Sequence, residues 1–228
     1  METHLSKRLS TVAAFVPQDA VLLDVGSDHA YLPIALLEKN KIERAIAGEV
    51  VEGPYQSAVK NIESSALSDR IAVRLADGLD ALKPSDRVTV ITICGMGGRL
   101  IADILDAGKD KLKDVQRLVL QANNREDDLR SWLQANGFSI IEETIMTENN
   151  KHYEIIVAEH GEMTLSRREL RFGPKLLGYQ TDSFRQKWER ELAKLDHALA
   201  SIPHYLVADR EQIIAKIAEI KEVIGHVS

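Results

Sequence analysis

The sequence predicts an α/β fold: a parallel, doubly wound sheet over the first two thirds of the chain, then an all-helical tail. Two patterns carry this reading. Short β-rich runs alternate with helical stretches from Ala20 to Ala135, as a sheet covered by helices on both faces requires. Strand signals stop after Gly161, and from Ser166 onward apolar residues recur at helical spacing. The 228 residues are long for one ordinary domain and short for two. One domain over 1–162 with an appendage over 163–228 fits both facts.

The elements follow in order. Ala20-Val-Leu-Leu-Asp-Val25 is a buried strand, and Tyr31 to Lys39 a helix. Arg44 to Glu49 is strand-like and Gly53 to Ser65 helix-like. Ile71 to Leu75 and Val88 to Ile93 are further strands, the second leading into a helix from Gly98 to Asp106. Arg117 to Gln121 is another strand, followed by a helix from Glu126 to Ala135. Phe138 to Met146 and His152 to Glu159 have no helix between them, which makes them an antiparallel pair closing the sheet. In the tail, Phe172-Gly-Pro-Lys-Leu-Leu-Gly178 interrupts the helical text. Leu192, Leu195 and Leu199 form one apolar stripe, and Ile213, Ile217, Ile220 and Ile224 another. With Ile202-Pro-His204 between them, the stripes predict an antiparallel helical hairpin of coiled-coil type.

Composition narrows the possibilities. Hydrophobic residues at 44% and charged residues at 28% exclude a disordered chain. No apolar run approaches the ~18 residues that cross a bilayer, and Met1 to Phe15 lacks the apolar core of a signal peptide. A single cysteine, Cys94, cannot form an internal disulfide. These features predict a cytoplasmic protein. Aromatics at 5% exclude a base-stacking sheet. Charge is uneven: residues 1–162 hold 18 Lys+Arg against 26 Asp+Glu, and residues 163–228 hold 11 against 9. An acidic body with a basic tail suggests separate tasks for the two parts.

The chemistry-bearing residues cluster at strand ends. The first strand runs into Asp24-Val-Gly-Ser-Asp-His-Ala-Tyr31, which places this turn on the floor of a doubly wound sheet's ligand crevice. Glu49 ends the second strand, where an acidic residue commonly takes ribose hydroxyls. Both features fit either a dinucleotide or S-adenosylmethionine. Charge separates the two. A pyrophosphate needs bare N–H groups at a glycine-lined helix start, whereas Asp28 and Tyr31 occupy the second and third glycine positions here. A carboxylate there repels phosphate but suits a sulfonium. Asp28 could also cap the following helix. Ala76-Asp-Gly78 puts a carboxylate where adenine's exocyclic amine could be held, and Cys94-Gly-Met-Gly-Gly98 puts glycines where cofactor and substrate must meet. No Gly-Lys-Ser/Thr follows, so the latter turn is not a phosphate loop. His152 and Glu154 share one strand face, but a lone pair of this kind is no metal site, and no metal is expected.

These residues together resemble the bacterial tRNA (adenine-22-N1)-methyltransferase family over nearly the whole chain. The resemblance rests on Leu5-Ser-Lys-Arg-Leu9, Asp24 to Pro33, Gly48-Glu49, Gly53, Gln56-Ser-Ala58, Asn61 and Asp77-Gly-Leu79. It continues through Gly95-Met-Gly-Gly98, Leu120-Gln-Ala-Asn123, Lys151-His-Tyr-Glu-Ile155 and Phe172-Gly-Pro174. It implies a Rossmann-like class I methyltransferase domain with a helical coiled-coil domain behind it; the closing strand pair is the usual ending of such a sheet. It implies methyl transfer from S-adenosylmethionine to N1 of an adenine in tRNA. It implies cofactor contacts from Gly26, Ser27, Asp28, Glu49, Asp77, Gly78, Gly95 and Met96, with Arg8 and His29 as additional ones. The chain departs from the general methyltransferase pattern at Asp28 and Ala30, and it lacks the Asn/Asp-Pro-Pro-aromatic tetrad after the fourth strand. Asp28 is the expected partner of the adenine edge or of the cationic product, with backbone carbonyls around Cys94 and Gly95 as alternatives. Tyr153 is positioned by the motif to stack on the base. The tail's surplus of positive charge marks Arg167, Arg168, Arg171, Lys175, Arg185 and Lys187 as expected tRNA contacts. A monomer is the expected state. A small-molecule methyltransferase and a non-catalytic cofactor-binding RNA module are the rival readings.

Overall fold

The computed structural model of the protein describes residues 3–225; residues 1–2 and 226–228, at the outer ends of the two expected units, lie outside the described residues. The elements are α1 (Lys7–Phe15), β1 (Ala20–Val25), α2 (Tyr31–Glu38), β2 (Ile42–Glu49), α3 (Glu52–Ser64), β3 (Ile71–Leu75), β4 (Val90–Met96) and α4 (Gly98–Ala107). They continue as β5 (Arg117–Ala122), α5 (Glu126–Ala135), β6 (Phe138–Glu148), β7 (Lys151–His160), α6 (Arg167–Phe172), α7 (Leu176–Tyr179), α8 (Asp182–Ser201) and α9 (Val207–Ile224). The strands form one sheet in the order β3-β2-β1-β4-β5-β7-β6. β1 to β5 are parallel, and β7 runs antiparallel to both β5 and β6.

Every residue of β1 is buried, as expected of a central parallel strand with helices on both faces. Ile101, Leu105, Leu129 and Leu133 of α4 and α5 pack on one face. Val12, Leu32, Ile34, Ala58 and Ile62 of α1 to α3 pack on the other. Strand order reverses between β1 and β4, so the ligand crevice opens at their carboxyl ends.

Three local features exceed the sequence expectation. Helix α1 was not legible as an element; Ser6 caps it by accepting from the Leu9 N–H, and Val12 anchors it in the core. β6 and β7 run on to Glu148 and Lys151, because Asn149 and Asn150 both adopt left-handed backbone conformations (φ 50° and 60°) and close a two-residue turn. β4 runs on to Met96, because Cys94 and Met96 pair with Gln121 and Ala122 while Gly95 bulges out between them.

The tail is joined to the body by more than its connecting stretch. Arg130 of α5 is fully buried. Its Nε donates to Glu143 of β6 (2.7 Å), its Nη2 to Glu154 of β7 (2.6 Å), and its Nη1 to the Leu170 carbonyl of α6 (3.1 Å). The Lys175 amide donates to the second oxygen of Glu143 (2.9 Å). Lys187 of α8 places its Nζ 2.7 Å from both Glu154 and Glu126. Burial opposes ionisation of Glu154, but Lys187 and Arg130 outweigh it and hold the carboxyl below its usual range. Beside this cluster, Ile145 of β6 packs with Phe172, Leu176, Phe184, Trp188, Ile220, Val223 and Ile224. Residue 162, the expected boundary, lies in a loop, and residues 167–188 pack against the body through these contacts.

Beyond that base α8 and α9 form an antiparallel hairpin: Gln180 donates to the Val223 carbonyl near its foot, and Arg210 to the Leu199 and Ile202 carbonyls near its tip. Buried side chains concentrate at the foot. Leu192, Leu195, Leu199 and Ile213, the outer members of the two stripes, are only half-buried.

Removing one member of a buried ion cluster leaves its partners charged and unpaired, at a cost of about 3–5 kcal/mol. Arg130→Met should therefore lower the unfolding free energy by that amount in urea titration. A loss below about 1 kcal/mol would mean that the cluster does not hold the tail to the body.

Candidate active site

A cavity of about 380 Å³ opens at the carboxyl ends of β1 and β4. Arg8, Gly26, Ser27, Asp28, Gly95, Met96 and Tyr153 line it, so seven of the expected site residues come together. Asp24, Tyr31 and Asn123 line it as well, and the sequence reading did not single these out as site residues; Cys94, whose backbone carbonyl it offered as an alternative, lines it too. Asp77 and Gly78 line a second cavity of about 270 Å³, between the end of β3 and α4. Glu49 reaches the main turn from below: its Oε1 accepts the Asp28 amide at 2.5 Å. His29 lies beside that turn without lining the cavity; its ring stacks on Tyr31 at 5.4 Å, and its Nε2 is 3.4 Å from the Asp28 carboxylate.

The turn after β1 is built from unusual backbone. Asp28, His29 and Ala30 all have positive φ, a conformation costly for residues with a Cβ. Hydrogen bonds hold it there. The Gly48 carbonyl accepts from Gly26 and Ser27, Glu49 accepts from Asp28, and Asn61 of α3 donates to the His29 carbonyl. Gly26 has φ 65°, a conformation that favours glycine, and it faces the movable Met96 methyl of the β4 turn. Asp28 does not cap α2. The N-cap is Ala30, with no side-chain bond, and the Asp28 carboxylate is 82% exposed at the cavity mouth.

On the β4 side, the Gly95 bulge is clamped by polar side chains. Gln121 Oε1 accepts from Arg8 (2.6 Å) and from the Gly95 amide (3.0 Å). Asn123 accepts from Gln121 and donates to the Gly95 carbonyl (2.7 Å). Arg8 also sits over the Tyr153 ring, 5.6 Å from its centre. The N-terminal helix thereby becomes a wall of the site.

The electrostatics are those of a cation site. Asp24 is buried, accepts hydrogen bonds from Ser27 and Thr92 (both 2.6 Å), and has its pKa pushed up to about 6, chiefly by burial. Burial likewise raises the pKa of Glu49. Neither carboxylate has an ion-pair partner among the described residues, so a bound cation would relieve both. A pyrophosphate would meet Asp24, Asp28 and Glu49 at close range. Burial raises the Cys94 thiol far above neutrality, which excludes a thiolate nucleophile. Glu154 is committed to Arg130 and Lys187, and His152 Nδ1 faces the Thr147 hydroxyl at 3.0 Å.

A seven-stranded sheet closed by an antiparallel pair, with an acidic glycine-lined crevice at its switch point, defines a class I methyltransferase fold. The family model of tRNA (adenine(22)-N(1))-methyltransferase matches residues 22–228, and the chain belongs to that family. The tRNA (adenine(22)-N(1))-methyltransferase of Bacillus subtilis is 42% identical over 99% of both chains. A Streptococcus pneumoniae protein solved in complex with S-adenosyl-L-methionine is 56% identical, with a TM-score of 0.92 over 97% of this chain and 100% of that one. A Mycoplasma homologue, from M. capricolum and in complex with S-adenosyl-homocysteine, is 28% identical, with a TM-score of 0.88 over 98% and 99% of the two chains.

The tail cations fall into two groups. Arg168 pairs with Glu222, and Arg171 pairs with Glu219 while stacking on Phe172 and Trp188. Lys187 is held between Glu126 and Glu154. All three face carboxylates, and Lys187 faces two of them. Arg167 and Arg185 are exposed and Lys175 half-buried.

Because the folded pKa of Asp24 lies above the ordinary value, its contribution to stability is fully present below about pH 4 and lost as pH rises through about 6. Carbon-detected titration of the free protein should give Asp24 a midpoint near 6. A midpoint near the ordinary value, about 3.9, would contradict the buried, cation-seeking site.

Proposed function

We propose that the protein transfers a methyl group from S-adenosylmethionine to N1 of an adenine in tRNA, at position 22 as in the relatives named for that reaction. The observation that carries this is the crevice, where buried Asp24 lines the cavity and buried Glu49 holds the turn beside it, neither with an ion-pair partner among the described residues. The cofactor supplies an electrophilic methyl on a sulfonium, and the in-plane lone pair of adenine N1 takes it without any proton having to leave. The chain therefore needs no general base. Its tasks are to align the reactants and to hold negative charge beside the developing cation.

The residues present suit those tasks. In this reading Glu49 takes the ribose hydroxyls, and Asp77 with Gly78 the cofactor's adenine. Gly26, Ser27, Gly95 and Met96 admit the chain of the cofactor at close approach, with Arg8 and His29 at its margins. Asp28, exposed at the mouth, accepts from the target adenine's amine or balances its charge. Tyr153 has Arg8 over one ring face, and the base would stack on the other. N1 lies on the Watson–Crick edge, so the base must leave its pair to enter. Arg167, Arg185 and Lys175 are the tail cations left for phosphates, and the protein acts as a cytoplasmic monomer in this reading.

The test is incubation with unmodified tRNA and methyl-labelled S-adenosylmethionine, then digestion and mapping. Label should appear as N1-methyladenosine at one position; label elsewhere, or none, would overturn the reading. In the same assay Asp28→Asn should lower kcat about tenfold or more while cofactor affinity stays within about twofold. Equal losses in both would make Asp28 a cofactor ligand instead.

A further inference from the structure

We propose that the basic groove between the β6–β7 turn and α8 binds the RNA sugar–phosphate backbone next to the target adenine; this rests on the tRNA reading above. The groove is a cavity of about 460 Å³. Two of its lining residues, Asn123 and Tyr153, also line the catalytic cavity, so the two spaces share a wall. A base that passes Tyr153 to reach the crevice leaves its ribose and flanking phosphates within one nucleotide of that wall. The groove begins where they must lie.

Its charge is the kind a phosphodiester seeks. Lys151 is exposed and has no ion-pair partner among the described residues. Arg190 donates to the Asn150 carbonyl at 2.5 Å, a neutral acceptor that fixes the guanidinium at the β6–β7 turn. Lys194 is 75% exposed and makes only a loose surface pair, at 3.3 Å, with Glu191, the one carboxylate among the described residues that line the groove, a contact of little energetic weight. Burial, then Arg190 and Lys187, lower the pKa of His152, which lines the same space; the ring feels the positive field. Lys187 also lines the groove, but Glu126 and Glu154 cancel its charge. The contrast with Arg168 and Arg171 is direct, since those cations already face carboxylates. The negative body therefore carries a positive channel to its own active site, and two of its cations, Lys151 and Lys194, are not among the residues the sequence marked as tRNA contacts.

The double variant Lys151→Ala/Lys194→Ala tests this, because both side chains are exposed and neither touches the cofactor cavity. Lys113→Ala is the control, a surface cation just before β5, at the opposite end of the sheet from the crevice. Binding of unmodified tRNA is read by fluorescence anisotropy across a salt series, with cofactor affinity read by calorimetry. The double variant should raise the tRNA dissociation constant about tenfold and reduce the log–log salt slope by about 2, roughly one for each lysine that no longer meets a phosphate. Cofactor affinity should match wild type, and kcat at saturating tRNA should stay within about twofold while KM for tRNA rises. Wild-type tRNA affinity and salt slope in the double variant would overturn the groove assignment. Wild-type protein that methylates no tRNA would instead overturn the functional reading on which it rests.

Discussion

The guanidinium of Arg130 is the constraint on which the rest of the structure depends. Buried in full, it must be satisfied on every side, and its partners come from β6, β7 and α6. Glu154 extends the cluster to Lys187 of α8, and Lys187 returns it to α5 through Glu126. Five elements are thus fixed relative to one another by charges that cannot be exposed singly without large cost. Glu154 also adjoins Tyr153 in β7, so the strand that joins the tail is the strand that lines the active site.

A second balance operates at the crevice. Asp24 and Glu49 are buried without ion-pair partners among the described residues, and burial disfavours their charged forms in the free protein. Such a site favours a positively charged ligand and opposes a phosphate. RNA, with its phosphate backbone, must then be held elsewhere, and Lys151, Arg190 and Lys194 face solvent beside the mouth and along α8. Acidic floor and basic approach are two halves of one arrangement: each repels what the other attracts.

Much of this was legible in the sequence, and the exceptions share a cause. Alternation of strand and helix located all seven strands, and turn chemistry located the crevice, because these signals are local. Asp24 read as part of a strand; only burial, with Thr92 arriving from β4, makes its charge exceptional. Glu154 read as half of a weak histidine–carboxylate pair, since nothing local ties it to Arg130 or Lys187, 24 and 33 residues away. The tail's charge surplus was visible, but not that Glu219 and Glu222 of α9 fold back onto Arg171 and Arg168. Helix α1 was missed because its apolar face is short, with Val12 its one fully buried residue. Pairings between distant elements decide which charges are free, and local spacing does not encode them.

The claim that tail base and catalytic sheet are one cooperative structure is tested most directly by native-state hydrogen exchange. Amides of β7 and of α8 between Phe184 and Trp188 should exchange through the same opening, with equal free energy and equal denaturant dependence. Exchange of the α8 amides at a distinctly lower free energy, while β7 stays protected, would contradict it: the tail would then be a separate unit resting on the body.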